Sequence, residues 1–254
     1  MLSDLKNKRV LVTGSSTGIG AAVAAGFAKL GASVVVHYNA SAGEAESLVE
    51  RITKEDGRAV AVGGDVSSTA GATQVVEEAV AHLGGLDVLV NNAGALVRRA
   101  PVTDIDDELY DEVLDLNIRS VVMASRTAVP HLRKAEGGAI INTSSVAARN
   151  GGGPGALLYA SSKAFVSNMT RNMARELAGD GIRVNAVAPG VIMTPFHQRF
   201  STPELLESMR KTIPMARIGD PAECVGAYLF LASNRMSGYI TGQIIEVNGG
   251  QYMP

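Results

Sequence analysis

Within "LLYASSKAFVSNM", Tyr159 and Lys163 stand four residues apart in a stretch of helical periodicity, so a phenol and an ammonium share one helix face, one turn apart. The commonest meaning of such a pair is a buried ring beside a solvated charge. The chemistry open to it is proton transfer: a free phenol has a pKa of about 10, and a nearby cation favours the phenolate and lowers that value. Upstream, "NTSS" offers two hydroxyls, Ser144 and Ser145, and the glycine-crowded "NGGGPGA" before the pair leaves room for a reactant. His37, His82, His131 and His197 lie far apart and Cys224 is the only cysteine. Neither a metal site nor an internal disulfide is therefore expected.

Such side chains need a scaffold to hold them. Short β-rich apolar runs alternate with longer helical patterns, which predicts βαβ units and a parallel sheet with helices on both faces. Strands are expected at 9–14, 33–38, 59–65, 86–92, 139–145, 182–188 and 243–249, and helices at about 19–30, 42–56, 68–83, 106–134, 158–178 and 221–232. With no linker, repeat or low-complexity tract, residues 1–254 are expected to form one α/β domain. The exception is 189–220, where prolines, Phe196, His197 and Phe200 suggest a mobile substrate flap at the carboxyl ends of the strands, the place where open α/β sheets bind ligands.

The 254 residues are 46% hydrophobic with a formal net charge of −2, enough for a substantial core and without the basic footprint of a nucleic-acid binder. No apolar run is long enough to span a bilayer, and "MLSDLKNKRVLVTG" lacks the apolar core of a secretory signal, so a cytoplasmic protein is expected.

The first expected strand runs straight into "TGSSTGIG" and then into a helix rich in small residues. Glycines at 14, 18 and 20 let backbone approach a pyrophosphate, and the helix amino-terminus offers unpaired N–H groups and a favourable dipole. The spacing is G-x-x-x-G-x-G, and a dinucleotide site of this kind also expects an acidic residue at the end of strand two. His37, Tyr38 and Asn39 stand there instead. Without a carboxylate to repel a 2′-phosphate, NADP(H) is the expected cofactor and NAD(H) the second, with Ser16, Asn39 and Ser41 as donors. No arginine or lysine occupies the usual clamp positions.

Taken together, "TGSSTGIG", Asp65 with Val66, "NNAG" at 91–94, Asn117 in "LDLNIRS", "NTSSVA" at 142–147, "YASSK" at 159–163, "VNAVAPGVIMTP" at 184–195 and "GYITGQIIEVNGG" at 238–250 resemble the short-chain dehydrogenase/reductase family, in its order and over nearly the whole chain. The resemblance implies a Rossmann-like doubly wound fold and hydride transfer between a nicotinamide cofactor and a carbonyl or secondary alcohol. It implies cofactor contacts from Gly14, Ser16, Thr17, Gly18, Ile19 and Gly20, from Tyr38, Asn39 and Ser41, and from Asp65 and Val66 beside the adenine. Asn91, Ala93 and Gly94 would line the cofactor's path, and Pro189, Gly190, Ile192 and Thr194 would hold the nicotinamide.

By the same resemblance Tyr159 is the general acid/base, Lys163 tunes it and reaches the cofactor ribose, and Ser145 orients the substrate oxygen, with Ser144 behind it. Asn117 is an unfavourable guest inside a helix because its amide competes with backbone bonds. The family's answer is a kink that supports a proton relay. Leu96, Val97, Ala147, Arg149, Asn150, Leu157, Val191, Met193, Phe196 and His197 are the expected substrate wall, and Arg98, Arg99, Arg133 and Lys134 are candidates to meet an acidic carrier protein. A 3-oxoacyl-[acyl-carrier-protein] reductase is the first expectation and a sugar or polyol dehydrogenase the alternative. A non-catalytic nicotinamide-binding regulator is the reading from a different class. A homotetramer is implied, joined through 106–134 with 158–178 and through the last strand.

Overall fold

The computed structural model describes residues 2–135 and 137–254. Along them run β1 (Arg9–Val12), α1 (Gly18–Lys29), β2 (Ser33–Tyr38), α2 (Ala42–Lys54), β3 (Arg58–Gly63), α3 (Thr69–Leu83) and β4 (Val88–Asn91). Next come α4 (Asp107–Leu114), α5 (Ser120–Leu132), β5 (Ala139–Thr143), α6 (Ala147–Asn150), α7 (Leu157–Leu177) and β6 (Arg183–Pro189). The chain closes with α8 (Pro195–Phe200), α9 (Pro203–Lys211), α10 (Pro221–Ala232), α11 (Asn234–Ser237) and β7 (Ile244–Val247). The seven strands pair in parallel in the order β3-β2-β1-β4-β5-β6-β7, a Rossmann-like doubly wound sheet.

Alternation along the strands builds two cores. Val10 and Val12 of β1 pack with Phe27 of α1, Leu48 and Ile52 of α2, and Tyr228 and Leu231 of α10. Leu11, between them, turns to the other face and meets Val75 and Val76 of α3, Leu132 of α5 and Leu177 of α7. Because helices cover both faces, the strands read as unbroken apolar runs.

Strand order reverses between β1 and β4. From β1 the chain winds outward to β2 and β3, then returns to β4 on β1's other side, leaving a crevice at the carboxyl ends where a ligand fits. The register Val12↔Val90 sets the glycine turn after β1 directly beside "NNAG" after β4.

Two expectations need correction. The helix foreseen over 106–134 is interrupted by a π-helical turn, Asp115–Arg119, between α4 and α5. Its centre is the fully buried Asn117, whose side-chain N–H groups bond the carbonyls of Val113 and Ala95, so the side chain takes over backbone partners in the widened turn. The stretch 189–220, expected to be irregular, contains α8 and α9. Each opens with proline in its first turn, where the missing N–H costs nothing, and Thr202 caps α9 by accepting from the Leu205 N–H.

Candidate active site

A cleft of about 730 Å³ runs along the carboxyl ends of the strands. At one end the turn after β1 is folded for close approach. Gly14 holds φ +60°, and a Cβ on Gly20 would lie 2.5 Å from both the Gly14 carbonyl oxygen and Asn92 Nδ2. Thr13 Oγ1 accepts from the N–H groups of Asn92 and Ala93, and Asn92 Nδ2 donates to the carbonyls of Thr13 and Gly14, which joins the two loops of the crevice. Thr17 starts α1 without a side-chain cap, so the first N–H groups of this 12-residue helix stay open toward the cleft. This cradle fits a dinucleotide pyrophosphate.

Farther along, α7 presents Tyr159 and, one turn on, the buried Lys163, whose ammonium donates to the Thr143 carbonyl at 2.9 Å. The two serines after β5 part company. Ser144 bonds Ser167 Oγ at 2.6 Å and donates to the Lys163 carbonyl, which ties β5 to α7. Ser145 lines the cleft together with Tyr159, and its hydroxyl accepts from the Ala147 N–H. Behind Lys163 the Asn117 Oδ1 is buried with no partner among the described residues. A Cβ on Gly94 would sit 2.6 Å from that oxygen and 2.9 Å from Lys163 Nζ, so glycine here keeps open the space across which acceptor and ammonium face each other.

Electrostatics correct one expectation. Burial raises the Tyr159 phenol above its ordinary value, and the neighbouring Ser145 hydroxyl offsets only part of this. Burial also brings the Lys163 ammonium down to about 8. Its Nζ lies 5.8 Å from the Tyr159 ring centroid and is turned to Thr143, so it does not override the desolvation of the phenol. At rest Tyr159 therefore carries its proton.

The family model described as enoyl-(acyl carrier protein) reductase matches residues 14–251. The chain belongs to the short-chain dehydrogenase/reductase family. The 3-oxoacyl-[acyl-carrier-protein] reductase FabG of Staphylococcus aureus is 41% identical over 246 residues, spanning 97% of this chain and 98% of that protein. The uncharacterized oxidoreductase YhdF of Bacillus subtilis is 42% identical over 250 residues, 98% of this chain and 85% of its own. Among solved structures, the NADH-dependent reductase A1-R' complexed with NAD superposes with a TM-score of 0.90 at 43% identity, with full coverage of both chains, and another structure of A1-R' describes it as responsible for alginate metabolism. A short-chain dehydrogenase from Burkholderia cenocepacia in complex with NADP gives 0.91 at 34% identity, covering 97% of this chain and 98% of that one. The chain is thus a nicotinamide-dependent oxidoreductase of carbonyl and CH–OH groups. No helix among the described residues is long and apolar enough to cross a membrane.

Within this family frame, most of the expected residues meet in one cleft. Its wall includes Gly14, Ser16, Thr17, Gly18, Ile19 and Gly20 on the cradle side, and Asn39, Ser41, Asp65 and Val66 around the far end. Ala93 and Gly94 line its middle, and Ser145, Tyr159 and Lys163 face Pro189, Gly190, Ile192 and Thr194 across it. Three expected residues are outside the wall. Asn117 lies behind Gly94, and the Tyr38 ring packs against Gly63. Asn91 points between strands and helices, bonding Ser125 and Asn142. Its neighbour Asn92 serves the cleft instead, and strand parity was the available signal, since Asn91 shares the inward face of Leu89.

Of the expected substrate wall, Leu96, Ala147, Asn150, Val191, Phe196 and His197 line the cleft, whereas Val97, Arg149, Leu157 and Met193 do not. Arg149 is paired with Glu246 at 3.1 Å. Phe196 of α8 covers the Tyr159 ring at 5.5 Å between centroids. Sequence reasoning missed His37 as a wall residue and grouped Arg99 with the candidates to meet an acidic carrier protein.

Proposed function

We propose that the chain reduces a compact, polar carbonyl compound to a secondary alcohol, and catalyses the reverse oxidation, with Tyr159 as proton donor and acceptor. The observation that carries this reading is the protonated Tyr159 phenol, beside Ser145 and one turn from the Lys163 ammonium, in the same cleft as the glycine cradle. The bound nicotinamide cofactor supplies or accepts the hydride. Reduction builds negative charge on the carbonyl oxygen, and the Tyr159 hydroxyl delivers a proton there while the Ser145 hydroxyl orients that oxygen. Lys163 stabilises the phenolate left behind and has ammonium protons to spare for cofactor hydroxyls. The unpartnered Asn117 Oδ1 extends this path as an acceptor toward the protein interior.

For the substrate, the support comes from the cations. The candidate carrier-docking residues Arg98 and Arg133 are already paired, with Asp106 at 2.6 Å and Asp180 at 2.9 Å. Arg99 instead lines the cleft with His197 and Asn150, has no carboxylate partner among the described residues, and keeps N–H groups free after bonding the Phe200 and Pro154 carbonyls. Val97 holds φ +66°, a strain of about 1–3 kcal/mol for such a residue, just before the chain sends Arg98 out and Arg99 in. A guanidinium in this position suits a substrate bearing a carboxylate. The likeness to a reductase responsible for alginate metabolism agrees with a polar substrate.

A 3-oxoacyl thioester is the second reading, favoured by the FabG relatives and by the apolar Leu96, Val191 and Phe196 in the wall. A purely regulatory role has no observation in its favour. NADP(H) is the preferred cofactor and NAD(H) the second, because Asn39, Ser41 and Ser16 line the ribose end with no carboxylate among them. A homotetramer in the cytoplasm completes the reading, and the exposed Leu157 and Phe165 of α7 and Tyr239 before β7 supply apolar surface for it.

Initial rates on oxo- and hydroxyacids, sugars, polyols and 3-oxoacyl thioesters, each with NADPH and NADH, test this. Turnover confined to thioesters would move the conclusion to the second reading, and sedimentation as a monomer would remove the tetramer.

A further inference from the structure

His37 is the fifth residue of β2 and is 1% exposed, yet its ring reaches the wall of the cleft. Its Nδ1 lies 2.9 Å from the Gly14 backbone nitrogen, and its Nε2 lies 3.0 Å from the Gly64 carbonyl oxygen. A peptide N–H can only donate and a carbonyl can only accept. Both contacts are satisfied by one form of the ring alone, the neutral tautomer with its proton on Nε2.

The partner on Nδ1 is the first glycine of the cradle. Gly14 is pinned from both sides, its N–H by His37 and its carbonyl by Asn92 Nδ2, and it holds φ +60° between those anchors. The next residue is tied to the same place: the Ser15 N–H bonds the His37 carbonyl at 2.8 Å, and Ser15 Oγ accepts the His37 N–H at 2.9 Å. Three hydrogen bonds therefore fasten the turn after β1 to residue 37. Of these, the bond from Gly14 to the ring is the one that a proton can destroy.

We infer that His37 is the positioning residue of the pyrophosphate cradle: its unprotonated Nδ1 holds the Gly14 peptide in the binding shape, and dinucleotide affinity falls on acidification because an imidazolium points a second donor at the Gly14 N–H.

Burial disfavours the imidazolium and lowers its pKa, so the binding shape is the resting one at neutral pH. The Gly64 carbonyl and the charge of Asp65 act in the other direction and offset part of this lowering. Among the described residues, Asp65, following β3, is the charged group that acts on the ring; the turn after β1 brings the Gly14 peptide to it and Ser15 to its backbone. Since the folded value lies below the ordinary 6.5, affinity is full at neutral pH and falls as pH drops through and below the folded value.

The inference rests on the cleft being a nicotinamide dinucleotide site, and the test separates the two. Calorimetric titration with NAD and NADP in their oxidised forms is run from pH 5 to 8 on the wild type, His37→Gln and His37→Phe, with a thermal melt at each pH. The wild type is expected to bind at constant affinity between the titration of Lys163, at about 8, and that of His37, and to weaken by up to about tenfold per pH unit once His37 titrates. Glutamine keeps an acceptor and a donor but does not titrate, so its profile runs flat where the wild type falls. Phenylalanine removes the acceptor and weakens binding roughly tenfold at pH 8. A wild-type profile that stays flat, or one that the glutamine variant copies, overturns the inference, as does full affinity in a folded phenylalanine variant. If the phenylalanine variant does not melt cooperatively, the comparison of wild type with glutamine decides alone. Failure of the wild type to bind either dinucleotide at any pH would instead sink the cofactor reading itself.

Discussion

β5 and β6 run side by side with a buried cation at each end. At the amino end Arg183, paired in register with Ala139, spends its guanidinium on five hydrogen bonds: to the Leu231 and Ala232 carbonyls, to Ser237, and twice to Asn234. At the carboxyl end Lys163 is buried as deeply and makes one, to Thr143, with an unpartnered Asn117 oxygen close by. The arginine closes the end of α10 and turns the chain into α11. The lysine is a cation that folding alone would not choose, since its burial works against its charge. A fully partnered buried charge marks scaffold, and an under-partnered one marks the place kept ready for a reactant.

Variants at the two ends should separate activity from stability, and Tyr159→Phe should do so most strongly. Losing the transferable proton is expected to cost about 10²–10⁴ in kcat, with dinucleotide binding and the melting temperature nearly unchanged. Stopped-flow rates with a calorimetric Kd check this, and turnover within tenfold of wild type would break the contrast by removing chemistry from the carboxyl end.

Arg183→Met and Lys163→Met sharpen it from the side of stability. The arginine variant strands buried carbonyls and is expected to lose about 2–5 kcal/mol in urea unfolding while the surviving folded fraction keeps its kcat. The lysine variant is expected to lose activity yet gain stability. Because the folded value of Lys163, about 8, lies below the ordinary 10.5, the fold favours the neutral amine. Its contribution is complete above 10.5 and is lost as pH falls through 8, a cost of roughly 3 kcal/mol at neutral pH. The gain of the methionine variant should therefore be largest near pH 7 and shrink toward pH 10. Equal destabilisation of both variants would mean that Lys163 is scaffold as well.

The same contrast explains what could be read without coordinates. Sheet and helices were legible because burial on both faces writes continuous apolar strands and periodic helices into the sequence, and Tyr159, Lys163 and the glycine turn were legible because their spacing is local. The π turn around Asn117 was not, since it extends a helical pattern by one residue without changing its composition. Nor were the duties of Asn91 and Asn92, or of Arg98 and Arg99. Neighbours of one type differ only in direction, which strand parity sets in the first pair and the strained Val97 backbone in the second. The resting Tyr159 was misjudged because helical spacing shows the nearby ammonium but not the depth at which both groups are buried.

Arg99 falls between the two buried cations and gives the smallest and most discriminating effect. Its Nε bonds the Phe200 carbonyl at 3.1 Å and its Nη1 the Pro154 carbonyl at 2.8 Å, so it straps α8 to the glycine loop, as Arg183 straps its own helix. Arg99 also lines the cleft, as Lys163 does. If the free face binds substrate, Arg99→Gln should raise KM for carboxylate-bearing carbonyls about tenfold with little change in kcat, and should alter KM for uncharged carbonyls less than threefold. Lysine at this position should restore part of the lost affinity as a point charge without the fork. Equal losses on charged and uncharged substrates would assign Arg99 to the strap alone, because a strap holds α8 and Phe196 over Tyr159 whatever the substrate carries.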